Sequence, residues 1–177
     1  MSYTIDFYER NEGNTLRFIL GKTGCKALFV IGLNPSTADD SKPDRTISKI
    51  LKFAHLNGYD GFVMLNLYPQ RTPYPRDLNE EMNQVYHLEN LERISAFVRS
   101  YHKLDILAAW GDTIMVRKYL ADCLMDISHL FAYKNTTWFR IGDYTKNGHP
   151  RHPSRTAYNF GFNKMDINQY LNRITIQ

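Results

Sequence analysis

The 177-residue chain has 43% hydrophobic residues, which is enough for the core of one compact domain without disulfides or a structural metal. Its 22 basic and 18 acidic residues leave a net charge of +4, which permits a phosphate-bearing partner without requiring one. The longest apolar run, Ala27 to Leu33, is too short to span a bilayer, and MSYTIDFYER lacks a signal-peptide apolar region, so a cytoplasmic protein without a membrane partner is expected.

Tyr3 to Leu20 reads as two β-prone stretches, YTIDFYE and TLRFIL, around the turn Asn11-Glu12-Gly13-Asn14, which predicts a hairpin. Ala27 to Leu33 is apolar without alternation, the pattern of a strand covered on both faces. Thr46 to Asn57 places Ile47, Ile50, Leu51 and Ala54 on one helical stripe, with Asp44 as cap and Gly58 as stop. Gly61 to Leu67 repeats the buried-strand pattern, and Val85 to Val98 repeats the helical one through Leu88, Leu91, Ile94 and Val98. Leu104 to Trp110 is a third such strand. A helix carrying Ile114, Tyr119, Leu120 and Leu124 follows Gly111-Asp112, and Thr136 to Ile141 is a fourth strand.

The alternation predicts one α/β domain over residues 1–177: three α-β-α layers around a mostly parallel four-stranded sheet, plus the amino-terminal hairpin. Ligands of such sheets bind outside the carboxyl ends of the strands. The segments there are polar: Asn34-Pro35-Ser36-Thr37, then Asn66-Leu67-Tyr68-Pro69-Gln70-Arg71-Thr72, then Trp110-Gly111-Asp112, and finally Gly148 to Arg155. Each alone is ordinary turn chemistry. Amides, hydroxyls, histidines and arginines gathered at one edge point to a binding site.

In that order, the motifs resemble those of the uracil-DNA glycosylase superfamily. Gly32-Leu33-Asn34-Pro35 is similar to the first catalytic motif of the mismatch-specific branch, in which Asn replaces Asp. Met64-Leu65-Asn66 is similar to the strand whose Asn reads a pyrimidine, Ala109-Trp110-Gly111 to the motif opening the next helix, and His152-Pro153-Ser154 to the final catalytic loop. NPSTAD, Asp44-Arg45-Thr46, NLYPQRT and AWG look like the family called domain of unknown function 1643. The resemblance implies a glycosylase-like α/β fold and an N-glycosidic hydrolase acting on a base in nucleic acid or nucleotide, without a cofactor.

Cleavage of that bond leaves an oxocarbenium-like sugar and an anionic base. A neutral His152 N–H would stabilise the base, and the Asn34 amide would orient water but could not accept its proton. Asn66 would read the Watson–Crick edge, Tyr68 and Trp110 would stack, and Arg71, Arg151 and Arg155 would hold phosphates, with Pro35, Ser36, His149 and Ser154 lining the site.

His149 and His152 lack a nearby carboxylate or cysteine to complete a metal site, so none is expected. His55, His87, His102 and His129 read as surface residues on or beside helices, and Cys25 and Cys123 as core filler. No pocket aromatic follows the Asn34 loop, and Arg155-Thr156-Ala157 holds no apolar wedge for a duplex. Two other functions fit the same residues: a non-catalytic nucleotide or modified-base binding module, and an interaction protein that inherited the fold. Nothing in the sequence fixes an oligomeric state.

Overall fold

The computed structural model describes residues 3–175. Among them, seven strands form one sheet: β1 (Phe7–Arg10), β2 (Arg17–Lys22), β3 (Ala27–Gly32), β4 (Gly61–Asn66), β5 (Lys103–Ala108), β6 (Asn135–Ile141) and β7 (Phe162–Lys164). The helices are α1 (Arg45–Leu56), α2 (Gln84–Val98), α3 (Tyr119–Leu130) and α4 (Ile167–Thr175). None of these is long and apolar enough to cross a membrane.

The strand order is β1-β2-β4-β3-β5-β6-β7. The central β4, β3, β5 and β6 run parallel, while β2 and β1 extend one edge antiparallel and β7 extends the other. Alternate residues of the buried strands feed opposite faces. Leu28, Val30, Phe62 and Met64 pack under Ile47, Ile50, Phe53 and Ala54 of α1. Phe29, Ile31, Val63 and Leu65 pack on the other face with residues of α2, α3 and α4. The sheet therefore lies between helical layers, as the alternating pattern required.

Helix ends follow the sequence cues. The Asp44 carboxylate accepts the Ile47 N–H at 2.8 Å to start α1, and Gly58, at φ +76°, turns the chain after it. The Asn83 carboxamide caps α2 by accepting from Val85 and Tyr86 N–H.

Two expectations need correction. The sheet has seven strands rather than four, because the hairpin is built into it: Leu20, Gly21 and Lys22 pair with Met64, Val63 and Phe62 of β4. β7 adds the other edge. The helix expected after Trp110 is broken into a 3-10 turn, Gly111–Val116, and α3, because Arg117 is extended at φ −139°. Its guanidinium reaches sideways to the carbonyls of Leu78 and Asn79.

Candidate functional site

A cavity of about 390 Å³ opens at the carboxyl ends of β3, β4 and β5 on the α1 face. Its walls come from segments far apart in the chain: Asn34 and Ser36 after β3, Asp44 and Thr46 at the start of α1, Gly111 and Asp112 after β5, and Arg151, His152, Ser154 and Arg155 after β6. That volume falls in the range of small-molecule sites.

Asn34 has one committed end. Its Nδ2 donates to the carbonyls of Pro35 at 3.0 Å, Gln70 at 3.3 Å and Thr72 at 2.9 Å, latching the loop after β3 to the loop after β4. Thr72 N–H returns a bond to Pro35 O. With the nitrogen fixed, Oδ1 is left as an acceptor on a residue that lines the cavity.

His152 is set up as a donor. Its Nδ1 accepts the Ser154 N–H at 3.3 Å and lies 2.8 Å from Ser154 Oγ. A ring nitrogen that accepts a backbone N–H carries no proton, so the neutral tautomer holds its hydrogen on Nε2. Burial, and secondarily Arg155, push the imidazole down to about 4, with Asp44 acting weakly the other way. The ring is therefore uncharged at neutral pH. Gly111 faces it at φ +67°, where a Cβ would come within 3.0 Å of His152 Cβ. The loop is tied down by Thr156, whose Oγ1 donates to His152 O, and by Lys49 of α1, whose Nζ donates to Thr156 O.

Asn66 closes β4 beside Gly32. It is fully buried, and neither Nδ2 nor Oδ1 has a hydrogen-bond partner among the described residues. A Cβ on Gly32 would stand 3.1 Å from Asn66 Oδ1 and against the Met64 methyl, so the absent side chain leaves room for the amide. Gly32 and Met64 both line the cavity, which puts the unsatisfied amide directly behind its floor.

A model of the family described as "Protein of unknown function (DUF1643)" matches residues 17–154. The chain belongs to the DUF1643 family. The matched stretch runs from Arg17 in β2 to Ser154 beside His152, spanning the walls of the cavity except Arg155 and Thr156 and leaving out β1, β7 and α4. No curated protein and no solved structure matches the chain.

In this DUF1643 protein the remaining sequence candidates lie elsewhere. Tyr68 is buried against Tyr119, and its hydroxyl accepts from Asn83 N at the start of α2. Trp110 is buried between Trp138 and Tyr170. Both are core side chains that offer no face to the cavity, because aromatic rings at strand ends also complete the helix–sheet packing. His149 turns away from His152: the Tyr170 hydroxyl accepts from Trp110 Nε1 at 2.9 Å and lies 2.8 Å from His149 Nδ1. Burial lowers the His149 pKa. Pro35 is buried in the latch. The Arg71 guanidinium is spent on Ser36 O, Ala38 O, Tyr8 Oη and Asn14 Oδ1, clamping the β1–β2 hairpin to the loop after β3.

Arg17 lines the cavity and was not foreseen. β2 runs antiparallel to β4, so its first residue lies level with the last residues of the parallel strands. The signal was a charge within the apolar stretch TLRFIL. Asp44 and Asp112 also line the cavity; Asp112 accepts from Thr145 Oγ1 and Asn147 Nδ2.

Two burial expectations are corrected. His87 is buried, with Nε2 2.8 Å from Asp126 and Nδ1 3.5 Å from Cys123 Sγ. The arrangement echoes a thiol relay, but Cys123 is fully buried and burial pushes its thiol up to about 12, so it packs α2 against α3. Cys25 is exposed rather than core. His55, His102 and His129 are exposed, as expected.

Proposed function

We propose that this DUF1643 protein binds a nucleobase in the cavity and hydrolyses the N-glycosidic bond that holds it, in the manner of the uracil-DNA glycosylases its motifs resemble. The observation that carries the reading is the Asn66 carboxamide, enclosed beside the cavity floor with donor and acceptor both unsatisfied. Leaving such groups unpaired costs about 1–3 kcal/mol each. A heterocycle edge with adjacent N–H and C=O groups satisfies both once the flexible Met64 side chain swings aside.

The other groups then have defined work. His152 Nε2–H meets the negative charge that develops on the departing base, and needs no proton transfer to do so. Asn34 Oδ1 accepts a hydrogen from the attacking water. The water oxygen bonds to the anomeric carbon, the C–N bond breaks with its electron pair moving into the base, and the released proton passes to solvent or to Asp44. One oxygen of Asp44 is held by Ile47 N–H, which leaves the other for this step.

The test is release of free base from a panel of nucleosides, nucleotides and uracil-containing oligonucleotides, followed by chromatography. Release is expected from the wild type, reduced in Asn34→Ala and lost in His152→Ala. Equal release from all three proteins rejects the assigned site.

A second reading, a non-catalytic binder of the same base, is favoured by one observation: the Asn34 nitrogen is occupied by three carbonyls, and an amide oxygen cannot take a proton. Recovery of the bound ligand intact, with no turnover across the panel, selects it.

A further inference from the structure

Arg17 is only 2% exposed and lines the cavity. Its Nη1 donates to Ala38 O at 2.9 Å, and its Nε is buried without a partner. Among the described residues it forms no ion pair. Arg71 reaches the same Ala38 carbonyl at 3.2 Å and otherwise bonds only neutral oxygens, so two guanidinium groups crowd one acceptor. Buried cations are normally paired, because desolvation without a counter-charge is costly. Asp44, which also lines the cavity, is bound to the α1 N-terminus through one oxygen and makes no ion pair with Arg17. Burial first, and then Arg71, lower the Arg17 pKa to about 10, which leaves it charged at neutral pH.

A forked, charged donor with an unpartnered N–H, on a residue that lines a cavity, is suited to receive an oxyanion. We propose that Arg17 binds a terminal phosphate of the ligand, so that the substrate class is a free nucleoside monophosphate rather than a nucleic-acid strand. The inference rests on the nucleobase reading above and narrows it. An internal phosphodiester continues into a sugar on both sides and cannot end against an enclosed side chain; a phosphomonoester can. Arg151 and Arg155 also line the cavity and add positive potential to it.

The experiment measures affinities of uridine 5′-monophosphate, uridine and ribose 5-phosphate by calorimetry, for the full-length wild type and for Arg17→Met. A charge-assisted forked contact gives about a 10- to 100-fold gain in affinity. The wild type is expected to bind the monophosphate tighter than uridine by about that factor, and Arg17→Met to lose the gain while still binding uridine. The methionine variant is expected to fold, since it replaces an unpaired buried charge by an apolar side chain of similar length. Should it not fold, Arg17→Lys, which keeps the charge but loses the fork, is measured in its place, and an undiminished phosphate advantage there overturns the proposal.

No phosphate advantage in the wild type, or the same advantage in Arg17→Met, overturns the proposal. If ribose 5-phosphate binds through Arg17 but uridine does not bind, and the base adds nothing to the monophosphate, the phosphate site stands and the nucleobase reading falls. If uridine binds and phosphate adds nothing, the reverse holds.

Discussion

Mild acid should destabilise this protein partly through His152, and the structure sets the size of the effect. The buried imidazole stays neutral down to about 4, whereas an unfolded histidine takes up its proton near 6.5. Between those values the unfolded state binds more protons, so stability falls as pH drops through 6.5 and the loss is complete below about 4. At about 1.4 kcal/mol per tenfold in proton concentration, the interval corresponds to about 3 kcal/mol. Urea unfolding at pH 7.5 and 4.5, followed by tryptophan fluorescence, should show the wild type losing about 2–3 kcal/mol more than His152→Gln. His149 and the carboxylates titrate in both proteins and drop out of the comparison. Parallel pH profiles would refute the reasoning, because they would mean that the imidazole is not held neutral by burial.

Asn34→Asp keeps the shape of the side chain but turns a carboxylate toward three carbonyl oxygens; it should cost about 2–3 kcal/mol in thermal unfolding and give no gain in base release. Gly111→Ala should lose about 1–2 kcal/mol from its positive φ, and its Cβ should displace His152, weakening ligand binding in calorimetry. Tyr170→Phe strands the Trp110 and His149 ring nitrogens, for a loss of about 2–4 kcal/mol and a shift in tryptophan emission. A thiol reagent should label Cys25 at once and Cys123 only after denaturation.

The central fold was legible because its signals are local. Unbroken apolar runs at Ala27, Gly61 and Leu104 became β3, β4 and β5, and Asp44 and Gly58 bracketed α1. β7 escaped because a three-residue edge strand, Phe162–Lys164, carries no apolar run. α4 escaped although Asp166 caps it by accepting the Gln169 N–H, because its nine residues offer only Tyr170, Leu171 and Ile174 as a buried stripe. In the site, Asn34 could be found because it directly follows a strand whose direction was readable, and His152 because His152-Pro153-Ser154 forms a recognisable motif in the long loop after β6. Arg17 could not, since its placement depends on β2 pairing antiparallel with β4 at the sheet edge. Tyr68 and Trp110 show the opposite problem: an aromatic ring at a strand end reads alike whether it stacks on a ligand or fills the core.

The pairing of Gly32 with Asn66 makes Met64, rather than any polar group, the adjustable element of ligand size. A side chain at 32 would collide with two neighbours, whereas trimming the thioether at 64 would deepen the recess toward Asn66. Variants seeking bulkier heterocycles should therefore be diversified at 64 first, with 32 left alone.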